Sequence, residues 1–370
     1  MKILYYIHSL VVGGAEIVVV NSLLKLKEEG HDVTLVVNQK NDIYLESELE
    51  HAGVDIVQLF GDCPKSKIGK LLFKVKKKLI GAKKVWERIF EEKTPDVLHI
   101  NTFTDFFYQS NFPTSRVVYT FHAEVERSLS LGSTINKKRI EKLAKAGACF
   151  CALNSRIADD IKRIFDTENV VIIPNGIDVA HIQSQKITKN SLTDSLGISS
   201  DSFLVGHVGR FNKVKNHPKL LEIFSKIRER RDDAYLILVG DGTLQEKALL
   251  EDKIAELKLN EYVRFLGIRK DATAIMNALD VFILPSLSES FSLVLVEAQA
   301  QGVRCVASDA VPHEVICNPN CFALSLKQSA DEWADKAVGN DVRSESESID
   351  KFDLNNVVKK TLSVYQQLCK

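Results

Sequence analysis

The chain has 370 residues, of which 45% are apolar, 26% charged and 8% aromatic. This composition is typical of a folded globular protein and excludes a disordered or collagen-like chain. The length favours two domains, because a single hydrophobic core stops growing at roughly 250 to 300 residues. The 49 basic residues balance the 49 acidic ones, so there is no general electrostatic reason to expect a nucleic-acid partner.

Short apolar runs alternate with helix-like stretches along the whole chain, which is the pattern of parallel sheets with crossover helices. The sequence therefore predicts an α/β protein. In the first half, strands are predicted at residues 3–7, 33–37, 54–59, 97–100, 117–121, 149–153 and 170–173. After a polar stretch from about residue 180 to 202, a second series is predicted at residues 203–208, 234–239, 263–265, 281–284 and 304–307.

The restart of this pattern predicts two α/β domains of similar size, which separate near Pro174 to Gly176, where proline and glycine end a strand. We place the N-terminal domain at residues 1–178 and the C-terminal domain at 179–350. In the remaining segment, 351–370, apolar residues recur at helical spacing, which predicts a final amphipathic helix.

The cysteines and the first residues of the chain indicate in which cellular compartment the protein is expected. The seven cysteines lack the paired C-x-x-C spacing of a zinc site, and reduced cytosolic thiols are the simplest interpretation. The N-terminal stretch Met1 to Ile7 is too short for a signal peptide, because Gly13 and Glu16 follow soon after it. No uncharged run reaches the 18 or so apolar residues of a membrane span. We therefore expect a cytoplasmic protein, or a peripheral one on the inner face of the cytoplasmic membrane.

One segment departs from the charge balance. From Lys65 to Lys84 there are nine lysines and no acidic residue, and apolar residues fall there at helical intervals. A basic amphipathic helix of this kind can lie on an anionic membrane surface. The alternative is an exterior helix of the first domain whose apolar stripe packs on the sheet.

Two glutamates, Glu289 and Glu297, stand eight residues apart just after the strand predicted at 281–284. If a helix begins near Ser290, the free N–H groups of Ser290 to Leu293 and the helix dipole favour an anion. A phosphate held there, with carboxylates placed for hydroxyl groups, suits a nucleotide sugar. A capping glutamate and an unrelated surface glutamate are the alternative.

Two cations follow the strand predicted at 203–208. Arg210 and Lys215 emerge at a carboxyl end of the sheet, where open α/β sheets bind ligands. Together they can clamp a diphosphate and offset the charge that grows on it as it leaves. Two solvated surface cations are the alternative.

In the first half, Gly13 and Gly14 lie between a strand and a helix, and His122 follows the strand at 117–121. A structural role for a lone histidine stays open beside a functional one. The glycines do not form G-x-G-x-x-G, and the second strand ends in Asn38 rather than an acid, so a nicotinamide cofactor is disfavoured. No D-x-D or H-E-x-x-H motif occurs, and no metal is predicted.

Taken in order, these motifs resemble the retaining nucleotide-sugar glycosyltransferases of family 4. The motifs are Gly13-Gly14-Ala15-Glu16, Thr120-Phe121-His122, Ile173 to Asp178, Gly209-Arg210 with Lys215, Val239 to Gly242, Phe265-Leu266-Gly267 and Glu289 with Glu297. The match runs from residue 3 to about 316. It implies the GT-B fold, in which two Rossmann-like domains face a cleft and the last helix crosses back to the first domain. The segment from Glu297 to Glu314 is most similar to members that build bacterial capsules or exopolysaccharides.

The resemblance also implies roles for individual residues of the C-terminal, donor-binding domain. Arg210 and Lys215 match the basic pair on the donor diphosphate, and Glu297 matches the acid on the ribose hydroxyls. Glu289 matches the acid near the transferred sugar. The backbone segment beside phosphate and sugar corresponds to Ser290, Phe291, Ser292 and Leu293, although many members have glycine at the two serine positions.

In the N-terminal domain, which holds most of the acceptor, His122 matches the histidine near the reacting centre and Gly14 matches the loop that approaches the donor. The resemblance thus implies a retaining transfer of a sugar from a nucleoside diphosphate, with UDP the expected carrier, to a hydroxyl of a lipid-linked envelope glycan. The expected catalytic residues are His122, Glu289, Arg210 and Lys215, without a metal or other cofactor. A hydrolysing epimerase, a phosphorylase or a non-catalytic sugar-binding component of an envelope-assembly complex are the alternatives.

Overall fold

A computed structural model describes residues 1–10, 13–39, 43–59, 66, 82–101, 111–131, 134–339, 343 and 347–370. The chain divides into two compact units. The first comprises Met1–Gly176 with Leu354–Lys370, and the second comprises Ile177–Asp353. Each unit is built on one parallel sheet, which confirms the predicted α/β class.

The first unit has a seven-stranded sheet. Its strands are β1 (Lys2–Ser9), β2 (Asp32–Gln39), β3 (Asp55–Gln58), β4 (Val97–Ile100), β5 (Val117–Phe121), β6 (Cys149–Ala152) and β7 (Val170–Ile172). They are all parallel, in the order β3-β2-β1-β4-β5-β6-β7. The residues from Ile3 to Ile7 are each at most 2% exposed. Helices cover both faces of such a sheet, so its strands are continuous apolar runs rather than alternating ones.

The helices of this unit are α1 (Gly14–Glu28), α2 (Ile43–His51), α3 (Ala82–Lys93), α4 (Val125–Leu131), α5 (Thr134–Lys145), α6 (Ser155–Phe165) and, from the end of the chain, α14 (Leu354–Leu368). The last of these joins the core of the first unit, where it packs on α1. The Tyr365 hydroxyl on α14 donates to the hydroxyl of Tyr5 on β1 at 2.8 Å and also contacts His99 on β4. The predicted return of the last helix to the first unit is therefore confirmed.

The second unit has a six-stranded parallel sheet. Its strands are β8 (Phe203–Val208), β9 (Ala234–Val239), β10 (Val263–Gly267), β11 (Val281–Leu284), β12 (Arg304–Ser308) and β13 (Cys321–Leu324), in the order β10-β9-β8-β11-β12-β13. Its helices are α7 (Val179–Ser184), α8 (Lys189–Leu196), α9 (His217–Arg230), α10 (Leu244–Glu256), α11 (Ala272–Asn277), α12 (Leu293–Ala300) and α13 (Ala330–Ala337).

Both sheets reverse their strand order at one point. In the first unit the reversal falls between β1 and β4, and in the second between β8 and β11. The chain leaves these two neighbouring strands toward opposite faces, which opens a crevice at their carboxyl ends where α/β proteins bind ligands. The two strand pairs therefore mark the places to look for a site.

Several sequence predictions need correction. The helix expected near Ser290 begins at Leu293, because Ser292 adopts a left-handed backbone with φ 76°. The polar stretch at 180–202 contains α7 and α8, and β13 was not predicted.

Apart from Ser66 and residues 82–84, the basic segment Lys65 to Lys84 lies outside the described residues. Over the parts of the chain that are described, no helix is both long and apolar enough to span a membrane. The six described cysteines are free thiols.

Candidate functional site

In the second unit two loops meet where the strand order reverses. The first follows β8 from Gly209 to Asn216, and the second follows β11 from Pro285 to Ser292. The backbone N–H of Leu287 donates to the carbonyl oxygen of Val214 at 2.8 Å, and the Asn216 side chain donates to the Pro285 carbonyl oxygen at 3.0 Å. These two hydrogen bonds hold the loops side by side.

The predicted cation and the predicted carboxylate meet across these loops. Lys215 Nζ lies 2.7 Å from Glu289 Oε1, and the two side chains are only 17% and 12% exposed. The same carboxylate oxygen accepts a hydrogen bond of 2.8 Å from Ser286 Oγ. The side chain of Asn212 caps the turn before Lys215 by accepting from its backbone N–H at 3.1 Å. The lysine is thus fixed at both its backbone and its ammonium group.

A glycine allows the β9 loop to approach this site. Gly240 has φ 137°, and a Cβ atom there would lie 2.0 Å from the carbonyl oxygen of Gly209. Only glycine permits this contact without a backbone shift. The turn after β9 therefore packs directly against the turn that leads to Arg210 and Lys215.

Arg210 lies on the first of these loops and Glu297 lies on α12, beyond the second, and neither takes part in the Lys215–Glu289 ion pair. Arg210 is exposed directly after β8. Glu297 lies in the second turn of α12 and is half-buried. Loss of hydration raises the pKa of its carboxyl to about 7. This acid therefore changes charge near neutral pH.

The segment Ser290, Phe291, Ser292 and Leu293 forms the entrance to α12 rather than its first turn. Ser292 is the N-cap residue, is 7% exposed and has no side-chain capping bond. Its Oγ has no hydrogen-bond partner within the described chain. Phe291 packs edge-on against Phe352, and this contact holds the loop in place. The first N–H groups of the helix have no intrahelical acceptor and suit an anion.

In the first unit, Gly14 begins α1, with Gly13 in an extended conformation before it. His122 directly follows β5, and its Nε2 lies 2.9 Å from Oδ1 of Asn101, the residue that follows β4. Desolvation lowers the pKa of the His122 ring to about 4. The histidine is therefore neutral at physiological pH.

A small cavity lies beside this histidine within the first unit. It measures about 40 Å³, and the polar residues described in its lining are Tyr5, Ser22, His99, Asn101, Thr120, His122, Asn175 and Thr361. Among the described residues that line it, none is Asp, Glu, Lys or Arg. Neutral hydrogen-bonding groups therefore define this end of the first sheet.

Two groups of buried histidines lie next to these sites and were not predicted from the sequence. In the first unit, His99 bridges the Tyr365 hydroxyl and Thr120 Oγ1. In the second, the rings of His207 and His217 lie 4.8 Å apart, edge to face, and both are close enough to Lys215 to feel its charge. All three are at most 6% exposed. His99 and His207 each stand one residue before the end of a strand, which was the available signal, but burial depends on neighbours that the sequence does not reveal.

Within the described ranges, no group of three or more His, Cys, Asp or Glu side chains is arranged to hold a metal ion. The charged groups brought together are Lys215 and Glu289, each held by further hydrogen bonds.

Two family profiles match the chain. One, described as Glycosyltransferase Family 4, matches residues 12–181, and the other, Glycosyl transferases group 1, matches residues 202–339. The two ranges do not overlap and between them take in most of the chain. Each profile thus covers most of one of the two units.

Solved structures match over the full length. HepE of Anabaena, in a crystal structure with UDP and glucose, has a TM-score of 0.75 at 20% identity, with 99% of this chain and 100% of that chain covered. A glycosyltransferase from Rickettsia africae has a TM-score of 0.77 at 18% identity, with 100% of this chain and 98% of that chain covered. The chain has the GT-B fold.

Sequence relatives point the same way. EpsF of Bacillus subtilis, described as a glycosyltransferase, is 35% identical over 171 residues, 46% of this chain and 44% of that protein. An Escherichia coli UDP-Gal:alpha-D-GlcNAc-diphosphoundecaprenol alpha-1,3-galactosyltransferase is 34% identical over 153 residues, 40% of this chain and 39% of that protein. The match therefore spans less than half the length of these two relatives. A phosphatidyl-myo-inositol mannosyltransferase of Mycolicibacterium smegmatis is 26% identical, with 96% of this chain and 90% of that protein covered.

The fold and both profiles define the class as the GT-B glycosyltransferases. Within that class, the chain belongs to the glycosyltransferases of family 4 and group 1.

Proposed function

We propose that the protein is a retaining glycosyltransferase that moves a sugar from a UDP-sugar to a hydroxyl group of a glycan. The observation that carries this proposal is the meeting of Lys215 and Glu289 at the strand reversal of the second unit. A fixed ammonium group, with exposed Arg210 on the same loop, suits the two phosphates of a nucleotide sugar.

The chemistry follows from this placement. The bond between the anomeric carbon and the diphosphate oxygen breaks, a bond to the acceptor oxygen forms, and the departing diphosphate takes up the acceptor's proton. Negative charge grows on the diphosphate, so Lys215 and Arg210 stabilise the transition state more than the ground state. A preorganised cation costs no reorganisation during the reaction, and the capped turn at Asn212 supplies that preorganisation.

The two glutamates take different parts. Glu289 is fixed by Lys215 and Ser286, so it orients hydroxyl groups of the sugar rather than attacking the anomeric carbon. Glu297, half-buried on α12, accepts hydrogen bonds from the ribose hydroxyls. The backbone from Ser290 to Leu293 lies beside the phosphate and the sugar.

We assign the donor to the second unit and the acceptor to the first, with residues 1–178, 179–350 and 351–370 as the acceptor domain, donor domain and returning helix. Gly14 and His122 are the first-unit residues assigned to the donor loop and the reacting centre. The relatives that act on a diphosphoundecaprenol-linked sugar and on phosphatidyl-myo-inositol support a lipid-linked acceptor in the bacterial envelope. Lysines between Lys65 and Lys84 would then hold the protein at the inner face of the cytoplasmic membrane.

The test is product analysis with a panel of UDP-sugars and lipid-linked glycan acceptors. We expect a new glycosidic bond with the anomeric configuration of the donor, read by NMR of the product, and no dependence on added divalent ions. Release of UDP at the same rate without an acceptor would instead identify a hydrolysing epimerase. Binding of UDP-sugars with no turnover on any acceptor would identify a sugar-binding component.

Membrane attachment has its own measurement. Partition of the protein into anionic vesicles should exceed that into neutral vesicles at low salt and decline as salt is added. Equal partition into both would remove the basic segment from the proposal and leave the reaction untouched.

A further inference from the structure

Asn101 is held at the strand reversal of the first unit. It directly follows β4, is 4% exposed, and its backbone N–H donates to the Tyr6 carbonyl oxygen on β1 at 2.9 Å. Its side-chain oxygen is the group that lies 2.9 Å from His122 Nε2. An amide at this position therefore meets the histidine from a rigid part of the sheet.

The contact determines where the single proton of the neutral ring resides. An amide oxygen only accepts hydrogen bonds, so Nε2 must carry the hydrogen and Nδ1 is left as an acceptor. Among the residues that the structure describes, neither His122 Nδ1 nor Asn101 Nδ2 has a hydrogen-bond partner. Both residues line the cavity of about 40 Å³, which has room for about two water-sized groups.

We propose that Asn101 is a positioning residue that holds His122 as the neutral, Nε2-protonated tautomer and so presents Nδ1 as an acceptor to a substrate hydroxyl. The proposal rests on the proposed function, since it assumes that His122 contacts the substrate. Asn101 acts through His122 and takes no proton itself.

The surroundings of His122 favour an uncharged ring. The same cavity is lined by Tyr5 on β1, His99 on β4 and Cys151 on β6. Burial lowers the pKa of His99 to about 3 and raises the pKa values of the Tyr5 and Cys151 groups, so all three stay uncharged. The cavity-lining residues of α1 and α14, Val18, Val19, Ser22, Val357 and Thr361, have no ionisable group.

One charged residue, Glu124, lies close to His122 in sequence and is paired with Arg156 on α6. Glu124 and Arg156 form an ion pair of 3.0 Å in which both side chains are at least one-third exposed. Their charges offset each other and are screened by solvent. An asparagine therefore completes a neutral setting that an aspartate at the same position would disturb.

The first experiment reads the tautomer without any substrate. In the full-length protein labelled with ¹⁵N-histidine, the His122 signals are assigned by their loss in His122→Gln. We expect a protonated Nε2, a bare Nδ1 and no titration between pH 8 and 5. In Asn101→Leu the signals should show a mixture of both tautomers. A protonated Nδ1 in the wild type would overturn the proposal, because the amide would then present its NH₂ group to the ring.

The second experiment uses the pH dependence of turnover. Asn101→Asp places a carboxylate beside Nε2 and should raise the pKa of His122, moving the acid limb of kcat upward by at least one pH unit, with a smaller effect on KM. Asn175→Asp places a carboxylate in the same cavity, as a control for charge alone, and should move the limb less. A purely structural role for Asn101 would lower activity without moving the limb, and that result would overturn the proposal.

The double variant separates this inference from the function on which it rests. In the His122→Gln background, Asn101→Asp should no longer shift the limb. A His122→Gln enzyme with wild-type kcat and KM would show that His122 is not part of the reacting centre. The tautomer of His122 would still be decided separately, by the NMR measurement.

Discussion

The two units place different chemistry at the same point of nearly the same sheet. In the second unit, the loops after β8 and β11 bring together the charged pair Lys215 and Glu289. In the first, the ends of β4 and β5 bring together Asn101 and His122, both neutral, beside a cavity whose described lining residues include no Asp, Glu, Lys or Arg. The strand order is common to both, so the side chains at the strand ends make the difference.

The difference indicates what each unit can bind. Phosphate needs fixed positive charge, and a half-buried ammonium held by a carboxylate provides it. Hydroxyl groups need paired donors and acceptors without net charge, because an unpaired buried charge would be costly. The second unit therefore suits the diphosphate of a donor, and the first suits hydroxyl groups of a sugar. The predictions below test this contrast, beginning with the feature that both units share.

The largest expected effect is acid unfolding caused by the buried histidines of both units. Burial lowers the pKa of His99 to about 3 and those of His122 and His217 to about 4, and it places the pKa of His207 well below its ordinary value. The unfolded chain takes up these protons below pH 6.5, but the folded chain does not. The stability that the rings contribute is therefore present above pH 6.5 and is lost as the pH falls toward 4.

A histidine whose pKa in the folded protein is about 4 lowers the free energy of unfolding by about 3 kcal/mol once the pH has fallen to that value. Urea unfolding at several pH values should show the free energy of unfolding falling steeply from pH 7 to 5. His217→Gln should reduce the slope by about one proton, and His51→Gln, on an exposed histidine, should leave it unchanged. A free energy that stays level over this range would contradict the buried neutral state of the rings.

The next effect separates the charged site from the neutral one. Lys215→Ala should lower turnover of a UDP-sugar by on the order of 10²-fold or more, since it removes a fixed charge-stabilising donor. It also leaves Glu289 without its cation at 12% exposure, so the folded fraction is measured alongside. Lys213→Ala, on an exposed lysine two residues away, is the matched control and should keep its activity. Equal activities of the two variants would remove Lys215 from the diphosphate site.

The sequence predicted that the segments of Lys215 and Glu289 come together, but it did not predict the neighbours of His122, for a physical reason. Lys215 and Glu289 follow two strands that stand out as apolar runs, and parallel strands in one sheet end at the same edge. Their meeting could be expected without knowing every neighbour. Asn101 and His99 depend on β4 lying beside β1, with Tyr5 opposite His99. The sequence gives no sign of that adjacency, and Asn101 was missed.

The same reasoning explains the errors in secondary structure. Strand β13, Cys321–Leu324, lies at the edge of its sheet and only its first residue is buried, so it lacks the fully buried apolar character of the equally short strands β4 and β11. The start of α12 was placed too early because serine gives no warning of a left-handed backbone, whereas a glycine at position 292 would have signalled a break.

Glu297 gives a test of the charged unit with the opposite dependence on pH. Its folded pKa, raised to about 7 by burial, exceeds the ordinary value of 4.5. The stability linked to this group is therefore fully present below pH 4.5 and is lost as the pH rises through 7, by at most about 3 kcal/mol. Glu297→Gln should gain stability over the wild type between pH 5 and 8, measured by urea unfolding. Glu251→Gln, on an exposed residue of α10, is the control, and parallel pH profiles for wild type and Glu297→Gln would contradict the raised pKa.

The smallest effect concerns the backbone at the entrance to α12. Ser292 has φ 76° and a buried hydroxyl without a partner in the described ranges, so Ser292→Gly relieves backbone strain and an unsatisfied group at once. Glycine also adds entropy to the unfolded chain, which lowers stability. After this cost is subtracted, we expect a net stabilisation of about 1 kcal/mol in chemical unfolding. Ser290→Gly relieves no backbone strain, because the φ of Ser290 is not positive, and should destabilise the protein. If both variants lose stability equally, the hydroxyl of Ser292 has a partner in solution, and this loop contributes more than its backbone to the site.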